Sequence, residues 1–338
     1  MAHQDHAPGR LMSTQPPWLE PIRQRLVLRG RDGWLPSGVL ISGSPGVGKA
    51  LLTTSVVQSL LCQRVSSDEP ACGECNACRS LEGGVHPEVR LLEPAEPAEP
   101  GKDILVDAVR DATEFLTLSG SGGALRALII RPADALNVNA ANALLKTLEE
   151  PPAGATLFLE AARPASLPAT IRSRCQQVDV ACPSIEQVHE WLAAETDQYE
   201  RVAEAYAASL NRPLLAREIL TDSAALEAWE TDRQILTGLL SAADLHSTAA
   251  ALQRSVPERL IPRLQALLLS AQRLLLVGQL DAFGEQFPRE RLLDFARARG
   301  ARRLAWLAQQ ALEWQRQSGA NLNPALRSET IALALGRR

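Results

Sequence analysis

The stretch "GVLISGSPGVGKALLTT", residues 38–54, constrains the fold of this 338-residue chain more than any other. A short apolar run ends in a glycine-rich turn, and a lysine then opens a helix-forming segment. The turn fits the phosphate-loop pattern G-x-x-x-x-G-K-[ST] at Gly43, Gly48 and Lys49, with Gly46 as a further loop glycine. Such glycines let backbone N–H groups close around phosphates, while the lysine neutralises their charge. The last position departs from the pattern. Ala50 stands where a Ser or Thr hydroxyl would ligate Mg²⁺.

A strand feeding such a loop and helix belongs in a parallel sheet, and the first half of the chain supplies the rest of one. Brief apolar runs bounded by turn residues recur at 38–43, 88–94, 127–130, 156–162 and 177–183, as expected for strands buried on both faces. Helix-length segments at 49–62, 103–118 and 138–150 alternate with them, which implies βαβ units with right-handed crossovers. After Pro183 the texture changes. Ser184 and Gln187 form a capping-box pattern, and from there to Arg338 the sequence reads as amphipathic helices without a strand.

Composition excludes some functions. With 35 basic and 39 acidic residues, the net charge of −4 argues against a protein whose main task is to coat nucleic acid. The apolar stretch 264–278 is interrupted by Gln and Arg and is too short to cross a bilayer. The first 12 residues lack the apolar core of a signal peptide; they read as a disordered tail, with Met12 as a candidate start. A cytoplasmic protein is expected. "EPAEPAEPG" (93–101) reads as a surface loop.

Hydrolysis by a phosphate-loop protein needs two carboxylates at the end of a second strand, one for Mg²⁺ and one to orient water. The strand 127–130 is followed instead by Arg131 and Pro132. Asp134 lies three residues beyond Arg131 and reads as a helix-start residue. Three elements of the chemistry are therefore missing together.

The cysteines carry the next signal. Cys62, Cys72, Cys75 and Cys78 follow a C-x9-C-x2-C-x2-C spacing that suits tetrahedral Zn²⁺ held by four thiolates, a closed and therefore structural site. Disulfides, disfavoured in a reducing compartment, and an iron–sulfur cluster are the alternatives. Cys175 and Cys182 stand apart and read as buried small residues.

"NVNAANALLKTLEEPPAGATLFLEAARPASLPATIRSRCQQ" (137–177) and the cysteine module after the phosphate-loop helix together resemble the bacterial DNA polymerase III clamp-loader family. That resemblance implies an α/β RecA-like AAA+ domain with a zinc module (1–182, the module at about 62–78). A small helical lid (183–221) and an all-α collar that oligomerises (222–338) would follow. Within the family, motor subunits of the gamma/tau kind keep an intact loop and an acidic pair, so this chain resembles the non-hydrolysing stator. The implied partners are the gamma/tau and delta subunits, with the sliding clamp and primer–template DNA met through the complex. ATPase activity would reside in the partners, and Lys49 would support at most weak ATP or ADP binding. The S-R-C motif, Ser173-Arg174-Cys175, implies that Arg174 is an arginine finger acting in trans. A lid sensor arginine would fall near Asn211, which occupies its place beside Arg212. The stripe Ala141, Leu144, Leu145 and Leu148 reads as core packing.

Two rival readings come from other classes. One is an active gamma-like ATPase with an unusual Mg²⁺ site, which Arg131 and Pro132 disfavour. The other is a zinc-dependent nucleic-acid-binding module, which the lack of basic and aromatic residues around the cysteines disfavours.

Overall fold

A computed structural model describes residues 15–94, 103–117, 125–241, 245–253, 255–316 and 324–336. The expected N-terminal tail and most of the 93–101 loop lie outside the described residues. The chain divides into two compact units, Met1–Glu195 and Thr196–Arg338.

All five expected strands form: β1 (Gly38–Ser42), β2 (Val89–Leu92), β3 (Arg126–Ile130), β4 (Ala155–Ala161) and β5 (Gln176–Asp179). They pair in parallel in the order β2-β3-β4-β1-β5. The three inner strands are buried along their whole length. The outer two are not: β2 and β5 each keep exposed residues, because an edge strand has a neighbour on one side only. The expectation of strands buried on both faces thus holds for the centre of the sheet and fails at its edges.

The helices of this unit are α1 (Glu20–Arg31), α2 (Lys49–Leu61), α3 (Asn76–Glu82), α4 (Val106–Thr117), α5 (Val138–Glu149), α6 (Ala169–Arg172) and α7 (Ile185–Ala193). Leu40, Leu128, Ile130, Leu157 and Leu159 bury one sheet face against α4, α5 and α6. In α5, Ala141, Leu144 and Leu148 belong to this core and Leu145 packs at its rim, as the stripe predicts. Asn137 caps α5, its side-chain oxygen accepting from the Ala140 N–H at 2.9 Å. α2 packs on β1 and β4, with α1 beside it. The capping box at Ser184 and Gln187 opens α7.

The second unit contains α8 (Val202–Ala208), α9 (Pro213–Thr221), α10 (Ser223–Leu240), α11 (Leu245–Gln253), α12 (Pro257–Val277), α13 (Arg289–Arg316, interrupted at Gly300) and α14 (Pro324–Gly336). No strand occurs among its described residues. α12 is longer than the apolar stretch 264–278 that it carries, and by length and composition it could cross a membrane. It is instead the core helix of this unit: Leu260, Leu264, Leu267, Leu268, Ala271 and Leu274 are buried, and α13 packs along it. It also carries the buried Arg263, which pairs with the fully buried Asp232 of α10. Arg259 forks onto the same carboxylate at 2.7 and 3.1 Å. Arg263 stacks 4.8 Å from the Trp229 ring centre and donates to Ala208 O. These bonds join α8, α10 and α12 through one satisfied polar cluster.

Candidate functional site

The loop after β1 lies at the carboxyl end of the sheet, where ligands of open parallel sheets bind. It is wedged between its neighbours: the Gly43 N–H donates to Ala161 O at 3.3 Å, and the Val180 N–H to Ser42 O at 2.7 Å. A Cβ on Gly43 would stand 2.6 Å from Val180 O, so no larger residue fits there. Gly48 caps α2 with φ of 105°, a conformation open to glycine, and Gly46 between them has φ of 73°. The loop glycines thus adopt the left-handed and close-packed turns that the motif calls on glycine to make. The loop lysine is engaged internally, since Lys49 Nζ donates to Gly43 O at 2.9 Å and Ser44 O at 3.0 Å.

Two tryptophans outside the motif hold this loop. The buried Trp18 indole N–H donates to Val47 O at 2.9 Å, and Trp191 of α7 meets Trp18 edge-on, with ring centres 5.2 Å apart.

Arg131 follows the end of β3, where the sequence reading looks for a metal-binding carboxylate. Its Nε lies 3.3 Å from Glu93 Oε1, at the end of β2, which borders β3 on the side away from β1. Pro132 offers no side-chain polar group. Asp134 lies in the first turn of the short 3-10 helix Ala133–Ala135, as the helix-start reading expects, but it does not cap it. Its carboxylate accepts from the Ala162 N–H (2.6 Å), the Arg163 N–H (3.0 Å) and the Ser166 hydroxyl (3.2 Å). Those three donors brace the exit of β4 and commit the carboxylate to structure. Ala50 lacks a hydroxyl, the Arg131 and Pro132 side chains carry no acceptor for a cation, and the Asp134 carboxylate is engaged by three donors.

The sulfurs of Cys62, Cys72, Cys75 and Cys78 all lie within 4.8 Å of one another and could hold a metal ion. A tetrahedral ion with Zn–S bonds of about 2.3 Å needs sulfurs roughly 3.8 Å apart, and Cys72 and Cys78 are at 4.0 Å. Backbone N–H groups of Cys72, Cys75 and Cys78 point at the sulfurs of Cys62, Cys72 and Cys75 at 3.4–3.5 Å, the donors a thiolate cluster requires. Burial disfavours charge on the sulfurs of Cys62, Cys75 and Cys78. N–H donors from Gln63 and Cys78 nevertheless hold Cys75 down to about 6, and donors from Cys72, Arg64 and Val65 lower Cys62. Burial together with the neighbouring sulfurs pushes Cys78 up to about 12. An ion must therefore displace protons to be held by all four. Cys175 is buried, and burial raises its thiol to about 11; Cys182 is exposed rather than buried.

The cysteine module is tied to α1 by two arginines. The fully buried Arg23 pairs with Glu20 and donates to the carbonyls of Asp68 and Glu69 and to the Ser59 hydroxyl. Its bond to Glu20 holds that carboxyl below its ordinary range. Arg31 Nη2 donates to Ser59 O and Val65 O, each at 2.6 Å.

Arg174 lies just past α6 with its side chain at the surface. Its Nη2 is 2.6 Å from Glu149 Oε1, and its Nη1 donates to Thr170 O at 3.0 Å. Both Arg174 and Cys175 of the S-R-C motif lead directly into β5, whereas Lys49 sits at the opposite, carboxyl end of the sheet. The loop glycines and lysine thus form one site, the cysteines a second, and Arg174 a third.

A family model described as DNA polymerase III, delta subunit, matches residues 20–184. DNA polymerase III subunit delta′ of Pseudomonas aeruginosa is 38% identical over 205 residues, and that of Escherichia coli 36% identical over 247. The alignments cover 60% of each chain for the first and 72% of each for the second, so the chain spans about three fifths of the Pseudomonas protein's length. The tau subunit of Escherichia coli is 31% identical over 160 residues, 47% of this chain and 24% of that one.

Proposed function

This chain belongs to the DNA polymerase III delta-prime subunit family, and from that premise we propose that it is the non-hydrolysing stator of a clamp loader. It joins gamma/tau motor subunits and a delta subunit in one assembly that opens the sliding clamp and loads it on primed DNA, in the cytoplasm. Its lid and collar lie within 183–221 and 222–338, and the collar carries the oligomer contacts. The observation that carries the non-hydrolysing part is the end of β3, where Arg131 pairs with Glu93 and the Asp134 carboxylate is taken by three donors. With no free carboxylate at the end of β3 and no hydroxyl at Ala50, nucleotide binds weakly at Lys49 or not at all. The gamma/tau-like alternative is less supported, since the match to tau covers only a quarter of that subunit.

The ion at Cys62, Cys72, Cys75 and Cys78 is Zn²⁺ in this reading, because four thiolates favour it and leave no open position for catalysis. Arg174 serves a neighbour. A guanidinium presented in trans spreads positive charge over phosphoryl oxygens as bonds break, and an exposed arginine distant from its own chain's loop suits that task.

Native mass spectrometry of the chain mixed with the gamma/tau and delta subunits of its own organism tests the assignment. A single copy is expected in each assembly, alongside several motor copies. Failure to join, or entry in several copies as a motor would, contradicts it.

A further inference from the structure

The geometry points to Glu149 as a positioning residue for Arg174, holding the guanidinium in one orientation before a neighbouring subunit's nucleotide meets it. This inference rests on the trans-acting reading of Arg174. Glu149 is the last residue of α5, and Arg174 follows α6, which packs against α5. The planar group is gripped at two nitrogens, by Glu149 Oε1 at 2.6 Å and by Thr170 O at 3.0 Å. One carboxylate and one carbonyl use two of its five N–H donors and leave three for phosphoryl oxygens.

The surrounding backbone is built to bring these two residues together. Gly38, at the start of β1, leaves room for both partners' neighbours: a Cβ there would lie 2.6 Å from Leu148 Cδ2, 2.9 Å from Cys175 Sγ and 3.5 Å from Arg174 O. Leu148 and Cys175 are buried, so the residues next to Glu149 and Arg174 are fixed in the core while the two charged ends meet at the surface. A long arginine side chain otherwise samples many rotamers, and fixing it beforehand lowers the cost of engaging a transition state.

The test uses the complete reconstituted clamp loader, with DNA- and clamp-stimulated ATP hydrolysis as the readout. The Arg174-dependent part is the difference between wild-type and Arg174→Ala complexes. Glu149→Ala should reduce kcat of that part by about two- to five-fold, the range of an exposed ion pair, with KM for ATP unchanged, since the arginine acts in the transition state. Glu149→Gln keeps an acceptor oxygen and should recover most of the loss, and the double variant should match Arg174→Ala alone. Circular dichroism and native mass spectrometry should find every variant folded and assembled. A Glu149→Ala complex that matches or exceeds the wild-type rate, while Arg174→Ala still silences its share, overturns the positioning role and leaves the trans-acting reading standing. An Arg174→Ala complex as active as wild type overturns both.

Discussion

Replacing Arg174 with alanine should nearly silence one nucleotide site of the assembled clamp loader while leaving this chain intact. An arginine finger is worth about 10³–10⁵ in rate at the site it serves. On the proposed reading the loss belongs to a neighbour, so the isolated chain should show no change in fold or metal content. Arg174 is exposed and its ion pair with Glu149 is at the surface, where such pairs contribute little to stability. Total ATPase should fall only in part, because other motor sites have their own arginines. Clamp loading by the proposed assembly should fall further. Arg174→Lys should rescue poorly, since an ammonium lacks the planar fork that matches phosphoryl oxygens. Reconstituted complexes assayed for both activities provide the check, and equal rates for wild type and Arg174→Ala would reduce Arg174 to a surface residue.

The second large effect concerns the metal. Purified chain should contain one zinc, and Cys75→Ser should contain almost none. Cys75 is at once a candidate ligand and the cap of α3, its sulfur accepting from the Cys78 N–H at 3.5 Å. Serine keeps a capping oxygen but cannot supply a thiolate. Loss of a structural metal site belongs with the largest single-residue effects, above about 4 kcal/mol, because binding of such an ion is itself folding free energy. The damage should spread along a defined route. Asp68, Glu69 and Val65 lose their fixed positions, so the buried Arg23 and the nearby helix residue Arg31 each lose acceptors, and a buried cation short of acceptors is costly. Chelation should therefore lower the melting temperature and open residues 62–78 to protease. Acid should weaken metal binding too, as protons return to the thiols. Elemental analysis without zinc, with all four thiols freely alkylated in native protein, would contradict this.

The strands, the loop and the cysteine cluster were legible because each is written locally. Apolar runs of four to seven residues, a glycine spacing and a C-x2-C-x2-C run fix their own neighbourhoods. What escaped is written across long separations. Trp18 reaches Val47 over 29 positions, Asp134 reaches Ala162 over 28, and Arg23 reaches Asp68 over 45. A periodicity carries no sign of such bonds. Asp134 illustrates the cost: next to a turn it reads as a cap, yet its partners are on the far side of α5. Likewise α1, with Pro21 in its first turn, carried a helix-start signal that a reading centred on the strands passed over. Glu149 was inside a quoted motif and still gave no hint of pairing with Arg174, because only the packing of α5 against α6 makes them neighbours. The division of the helical region was the least legible feature. α7 lies in the first compact unit while α8 and α9 lie in the second, and no composition shift marks residue 195.

Steady-state ATP turnover by the purified chain, measured with Mg²⁺ and no other subunit, tests the central claim most directly. Ala50, the Arg131–Glu93 pair and the occupied Asp134 carboxylate leave no hydroxyl or free carboxylate at these motif positions to hold the metal or orient water, so no turnover is predicted. Ala50→Ser should stay inactive as well, because one hydroxyl does not replace the missing carboxylates. Turnover by the wild-type chain that disappears in Lys49→Ala would contradict the account and make this subunit a motor.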